Sequence, residues 1–365
     1  MITIEQLLGD IQRSVAQMTD GPGATRTIFA RPRELLGEFL SGERRRLESQ
    51  ARLGVPVPRF CIFSVTWRCN LGCAGCYAKN YVRGNELRLD EIERVLHEAR
   101  DLGSFLFVIV GGEPLMLPGL MDAMSRVDGA LFLMFTNGTL LDDAAAAEIA
   151  RAERVMPIVS TEGAADDTDL RRGSGVSAKV SAAMEALGRA GVPFGFSSMV
   201  TRRNLDRVTS REWFDGMWSR GARLGFLIDY IPFPHELDEA LVLRDEDYER
   251  KYRAVLARYK EARPLVMNFP ADEYDGGTCQ AAGTGFIHVN ADGFVEPCPF
   301  SHYARENVRD KPLHEILGGP FLSTLRREVT QLPNPLGKCL LFEHQTEVAE
   351  IARRTGGFPT ERSSE

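Results

Sequence analysis

From Phe60 onward the chain alternates short apolar, β-branched runs with stretches whose apolar residues recur every three or four positions. The first kind of run predicts buried strands at Phe60–Val65, Phe105–Val110, Leu131–Phe135, Val155–Val159, Phe194–Val200 and Arg223–Ile231. The second kind predicts helices between them. Leu89, Ile92, Val95, Leu96 and Ala99 form one such stripe, and Val176, Val180, Ala183, Met184 and Leu187 another. Strands separated by helices imply βαβ units and a parallel sheet. Six units, short of the eight of a closed barrel, predict an α/β fold built as an open six-stranded (β/α)6 partial TIM barrel.

The flanks read differently. Ile4, Leu7, Leu8, Ile11 and Val15 fall at helical spacing before a Gly-Pro-Gly break at 21–23. A second helix is expected from about Pro32 through the basic triplet Arg44–Arg46 towards Leu53, with the triplet on a solvated face and Pro56 and Pro58 ending it. Residues 234–263 predict one more helix, with Tyr248, Tyr252, Val255, Leu256 and Tyr259 turned to the core. Gly283–Pro297 reads as a hairpin turning at Ala291-Asp292-Gly293. The expected organisation is a helical lead-in over 1–58, the barrel over 59–263, a small hairpin-based domain over 264–355 and a polar tail over 356–365.

Composition narrows the function classes only modestly. With 44 basic and 51 acidic residues the net charge is −7, which argues against general affinity for nucleic acid or an anionic membrane. No apolar run is long enough to span a bilayer, and the first twenty residues lack the features of a signal peptide. A cytoplasmic location is therefore expected, where seven cysteines are better explained by metal than by disulfides.

Those cysteines carry the sharpest chemistry. Cys69, Cys73 and Cys76 stand at a C-x3-C-x2-C spacing in the stretch CIFSVTWRCNLGCAGCYAKNY that follows the first strand. Three thiolates on one tight loop converge on a point, and iron–sulfur clusters are held by such thiolates. Three rather than four would leave one iron open to a substrate or cofactor. A structural zinc site wants four N/S ligands, and no fourth Cys or His lies in the loop. Cys61, inside the strand pattern, reads as a buried core thiol.

In a barrel of this kind the site lies at the carboxyl ends of the strands, and polar residues do gather there. The second strand is followed by Gly111-Gly112-Glu113-Pro114, where glycines permit close backbone approach and Glu113 can accept from an ammonium group. Thr136-Asn137-Gly138 follows the third, and Ser160 the fourth. Arg171-Arg172-Gly173 comes in the next connection, where an Arg could grip a carboxylate.

The C-x3-C-x2-C spacing followed by Tyr77, with the downstream GGEP, resembles the radical S-adenosylmethionine (SAM) superfamily. The resemblance covers about residues 60 to 233. It implies a [4Fe–4S] cluster on Cys69, Cys73 and Cys76 whose unique iron binds the amino and carboxylate groups of SAM. Reduction would cleave SAM to methionine and a 5′-deoxyadenosyl radical that abstracts hydrogen from substrate. It further implies that Gly111, Gly112 and Glu113 serve the SAM amino group, and that Asn137, Ser160 and Arg172 contact its ribose or carboxylate. The position before the third cysteine, often aromatic in the family, is Gly75, so Tyr77 is expected to line the adenine side. A low-potential electron donor of flavodoxin or ferredoxin type would supply the electron.

Cys279, Cys298 and Cys339 form a second, dispersed set, the first two brought together by the hairpin. The run CQAAGTGFIHVNADGFVEPC resembles the start of a SPASM or twitch extension, which carries auxiliary clusters. Three cysteines imply one probable auxiliary [4Fe–4S] cluster. Its fourth position is either open or filled by a group such as His302, Glu343 or His344. The expected function is a radical SAM oxidoreductase or maturase acting on a peptide or small metabolite. The alternatives are a non-catalytic iron–sulfur sensor or scaffold, and a radical SAM methyl or group transferase. Protein purified without oxygen should be brown, with the broad visible absorbance of thiolate-bound iron; a colourless, zinc-loaded sample would overturn the cluster expectation.

Overall fold

The computed structural model describes residues 27–79, 81, 84–232, 238–259, 265–271 and 278–361. Every strand read from the sequence is present: β1 (Phe60–Ser64), β2 (Leu106–Val110), β3 (Leu131–Thr136), β4 (Val155–Ser160), β5 (Phe194–Val200) and β6 (Ala222–Asp229). They lie side by side in chain order and all parallel. The sheet curves strongly. Phe135 on β3 and Phe226 on β6 meet with ring centroids 5.1 Å apart although two strands separate them. This is the open partial barrel, and its helices cover the outside.

Burial alternates accordingly. Phe107 and Ile109 on β2, which face the helices, are buried, while Leu106, Val108 and Val110 face the interior and are only partly so. The same alternation on β6 leaves Phe226 and Ile228 half-buried. The interior is filled at one end, where Ile28 and Phe29 pack with Leu131, Leu133, Met156 and Ile158. Thr27 and Ile28 anchor that plug, each donating to the Glu153 carbonyl at 2.9 and 3.0 Å. Part of the lead-in thus closes the amino-terminal end of the barrel. The opposite end, at the carboxyl ends of the strands, is left for a site.

Three strands extend the sheet beyond the barrel. β7 (Leu265–Phe269) pairs parallel with β6 on one edge. On the other edge β8 (Phe286–Val289) pairs parallel with β1 and turns back into β9 (Val295–Glu296). The turn falls at Ala291-Asp292-Gly293, with Gly293 in the left-handed region (φ 89°). The hairpin is therefore hydrogen-bonded into the same nine-stranded sheet as the barrel.

Two expectations need amending. The helix Pro32–Leu53 forms, but Arg46 is buried rather than solvated, held by Glu43, Gln50 and the Val57 carbonyl. Close packing forces this. A side chain at Gly103 would come within 2.2 Å of the Arg46 backbone nitrogen, so the helix Leu89–Leu102 ends directly against it. In the helix Asp245–Tyr259, of the described residues expected to face the core, Tyr248 and Val255 do so, while Tyr252 and Leu256 are exposed. The helical stretch before Gly21 and the end of the tail fall outside the described residues, as does the Tyr259 side chain.

That helix is fastened to β6 by a buried ion pair, Lys251 with Asp229. Burial pushes the Asp229 carboxyl above its ordinary range, and Lys251 opposes the shift. Removing one partner strands the other charge. Lys251→Met should cost about 3–5 kcal/mol in denaturant unfolding, and Asp229→Leu added to it should recover much of the loss.

Candidate active site

The loop after β1 is shaped by its own hydrogen bonds before any ligand is considered. Glu86 accepts from Thr66 Oγ1 and from the Trp67 N–H, both at 2.8 Å. The Trp67 indole stacks on Tyr81 with centroids 3.9 Å apart and donates to Asp292 at 3.0 Å. The end of β2 then lies directly on this loop. The N–H of Gly112 donates to the Thr66 carbonyl at 2.7 Å, and that of Glu113 to the Arg68 carbonyl at 2.8 Å. A Cβ on Gly111 would stand 2.4 Å from the Thr66 oxygen, and one on Gly112 2.1 Å from the Arg68 oxygen. The two glycines are thus required by contact with the cysteine loop itself, a reason distinct from approach to a ligand.

Glu113 is fully buried and joins the second strand end to the third. Its carboxylate accepts from Thr136 Oγ1 and the Asn137 N–H at 2.7 Å each, and from the Leu115 N–H at 3.2 Å. Burial pushes its carboxyl above the usual range, and these donors hold the rise in check. Asn137 in turn reaches the cysteine loop, donating to Asn70 at 2.9 Å and pointing its amide at Cys69 Sγ across 3.8 Å.

Cys69, Cys73 and Cys76 are free thiols, Cys73 buried and the others partly so. Burial pushes the Cys69 thiol up, and charge on Cys76 and Cys73 adds to the shift, so the three lie within electrostatic reach of one another. The Leu71 N–H aims at Cys69 Sγ from 3.4 Å. Among the described residues no three Cys, His, Asp or Glu side chains are drawn together as they would be around a single metal ion. The donor set is nonetheless that of a cluster: three unpaired thiols on one loop, with amide donors directed at a sulfur. By contrast Cys61 is shut in the core beside Ser104, its thiol pushed up to about 12, as a structural thiol should be.

The remaining predicted residues fall around this loop, several with unexpected partners. Ser160, at the end of β4, shares a hydrogen bond of 3.2 Å with Ser197 on β5. Arg172 is clasped by Glu162, whose Oε1 accepts from Arg172 Nε at 2.7 Å and from Arg171 Nη1 at 2.6 Å. Glu162 lies two residues past Ser160 and is 2 % exposed, so the fourth strand end carries a buried carboxylate that the sequence reading passed over. Burial would raise its carboxyl, but the two arginines outweigh that and hold it below the ordinary range.

Tyr77 turns away from the loop towards the hairpin. Its phenol meets Ser64 Oγ at 3.1 Å, Ser64 meets His288 Nε2 at 2.8 Å, and His288 Nδ1 meets Glu296 at 2.7 Å. The ring nearest the middle of the cysteine loop belongs instead to Tyr230, just past β6. A Cβ at Gly75, which adopts φ 64°, would stand 2.8 Å from that ring. The aromatic neighbour is supplied from the far side of the barrel, where no local spacing could reveal it.

In the carboxyl-terminal part Cys279 and Cys298 are buried in the main core at the two ends of the hairpin segment, and Cys339 precedes the short helix Leu340–Glu343 close enough to Tyr248 to influence its phenol. Of the groups considered as a fourth ligand, His302 is buried and bonded to Glu361 and the Pro299 carbonyl. Glu343 is exposed, and His344 pairs with Glu347.

Comparison with known proteins agrees with this geometry. Residues 63–210 match the radical SAM superfamily. The chain is 26 % identical over 326 residues to the AdoMet-dependent heme synthase of Methanosarcina barkeri, spanning 81 % of this chain and 92 % of that one. It is also 26 % identical to the PqqA peptide cyclase of Gluconobacter oxydans, over 77 % of this chain and 82 % of the relative. Among solved structures, SuiB of Streptococcus suis bound to its precursor peptide SuiA superposes with a TM-score of 0.65 at 15 % identity. That match covers 81 % of this chain and 72 % of SuiB. A barrel open at its carboxyl end, three free thiols on the loop after β1 and these relatives lead to one conclusion: residues 63–210 form a radical SAM domain, the kind that works with a [4Fe–4S] cluster and SAM.

Proposed function

We propose that the protein abstracts hydrogen from an organic substrate held in the barrel, with Cys69, Cys73 and Cys76 holding the SAM-binding cluster. The observation that carries this reading is the loop after β1, built rigidly by Thr66, Trp67, Gly111 and Gly112 and presenting three free thiols at the open end. When bound, the cluster and SAM supply reductive cleavage to a carbon radical. The chain supplies the rest. Backbone groups at Gly111-Gly112-Glu113 receive the SAM amino group, Asn137 and Ser160 the ribose, and Arg172 the carboxylate. The half-buried interior faces of β2 and β6 give the substrate an apolar, water-poor seat.

Cys279, Cys298 and Cys339 would hold one auxiliary cluster in the manner of a twitch extension, placed next to the barrel by the pairing of β8 with β1. The relatives that match over most of both lengths are named a heme synthase and a peptide cyclase. A tetrapyrrole and a peptide are therefore the substrate classes to assay first. A sensor or scaffold would have no use for this SAM-shaped set of strand ends.

The test is formation of 5′-deoxyadenosine from SAM under anaerobic, reducing conditions. Cys69→Ala, Cys73→Ala and Cys76→Ala should each abolish it in soluble protein; full turnover by any one would remove that residue from the ligand set. Cys298→Ala should lose about one cluster's worth of iron while keeping some SAM cleavage. Unchanged iron in that variant would remove the auxiliary cluster.

A further inference from the structure

We propose that Arg171 is a positioning residue for charge at the three-cysteine site: its guanidinium lies beside the loop that carries Cys73 and Cys76 and makes the cluster there easier to reduce. The inference rests on the cluster assignment above and goes beyond it. Three observations carry it. The first is a tether. The N–H of Ala74, midway between Cys73 and Cys76, donates to the Arg171 carbonyl at 3.0 Å, so the helix Ala165–Arg172 ends against the middle of the cysteine loop.

The second is a charge imbalance. Arg171 and Arg172 share one acidic partner, Glu162, and among the described residues neither makes another ion pair. The buried Glu113 carboxylate also acts on Arg172, so Arg171 is the member of the pair left with only its share of Glu162, in a place largely shut from water, with Glu162 2 % and the Arg171 side chain 16 % exposed. An unbalanced buried charge is costly unless an anion completes it. The neighbouring acid Asp167 does not serve, being drawn to Arg203 and Arg207.

The third is a spare donor. Glu162 takes Nη1 of Arg171, while Nε is buried without a partner. Burial works against the charge on the guanidinium, Glu162 does most to restore it, and Cys73 and Cys76 lie near enough to add to that effect.

Potentials of iron–sulfur clusters depend on net charge and on hydrogen bonds to their sulfurs. Arg171 stays protonated throughout. It presents a fixed cation where one electron from a low-potential donor adds one negative charge, with no bond made and no proton moved. Arg172, with both its bonding nitrogens on Glu162, is left to the SAM side.

The experiment is an EPR-monitored redox titration of the anaerobically reconstituted full-length protein without SAM. It follows the signal that changes when SAM is later added, with iron content and SAM affinity measured in parallel. Arg171→Met should load iron normally and shift the midpoint to a more negative value. Arg171→Lys, which keeps the charge but loses the planar donor, should fall between Met and wild type. If Arg171→Met loads iron poorly, the order wild type, Lys, Gln in the remaining variants decides the matter in the same way. A wild-type midpoint in fully loaded Met or Gln protein overturns the proposal, as does a shift seen only with SAM present, which would make Arg171 a ligand of the SAM carboxylate. Absence of any SAM-responsive signal in wild type would overturn the cluster assignment as well.

Discussion

The site depends on one backbone contact. The end of β2 lies so close to the loop after β1 that Gly111 and Gly112 leave no room for a methyl group against Thr66 and Arg68. Two amide hydrogen bonds, from Gly112 and Glu113, fix that distance. From there rigidity spreads along the strand ends. Glu113 binds the Thr136 hydroxyl and the Asn137 backbone, and Asn137 returns to Asn70 and Cys69. A loop that must hold three sulfurs in fixed geometry is thus pinned from two neighbouring strands. Sites of this kind lose precision when their supports are left to mobile side chains.

The electrostatics complement that mechanical frame. The cysteine loop carries the thiols, and buried cations gather at the fourth strand end. Glu162 keeps Arg171 and Arg172 in register, one carboxylate shared between two guanidinium groups. Its second oxygen accepts from the Met199 N–H at 3.0 Å, which ties the arginine pair to β5 as well. The two halves of the barrel mouth are therefore of opposite character, one offering thiols and the other guanidinium groups.

Much of this was legible in the sequence because it is local. β-Branched runs of five to eight residues do not need tertiary context to be read as strands, and the cysteine spacing and GGEP lie each within one loop. What escaped the reading is what arises between elements. Glu162 carried no signal of its own, because the arginines that close over it, nine and ten residues on, are brought there only by folding. The contact of the two glycines with the Thr66–Arg68 backbone went unseen because those residues are remote in sequence. Tyr230 could not be paired with Gly75 without knowing how far the sheet curves. β7 escaped because Leu265–Phe269, with an exposed Met267 and a buried polar Asn268, inverts the usual pattern of a strand.

The parallel pairing of β8 with β1 has a consequence for how such a protein can change over time. Ser64 on the first strand hands its hydroxyl to His288, and His288 is backed by a Glu296 carboxylate that also receives Tyr81, Asn290 and Thr360. The last third of the chain is thereby grafted onto the root of the cysteine loop through a sealed polar seam. Recombination that exchanged this portion for another would have to bring its own imidazole opposite Ser64, or leave that hydroxyl to the Tyr77 phenol and lose the link to the hairpin. The seam thus couples the fitness of the two parts, since a change on either side of it is felt by the other.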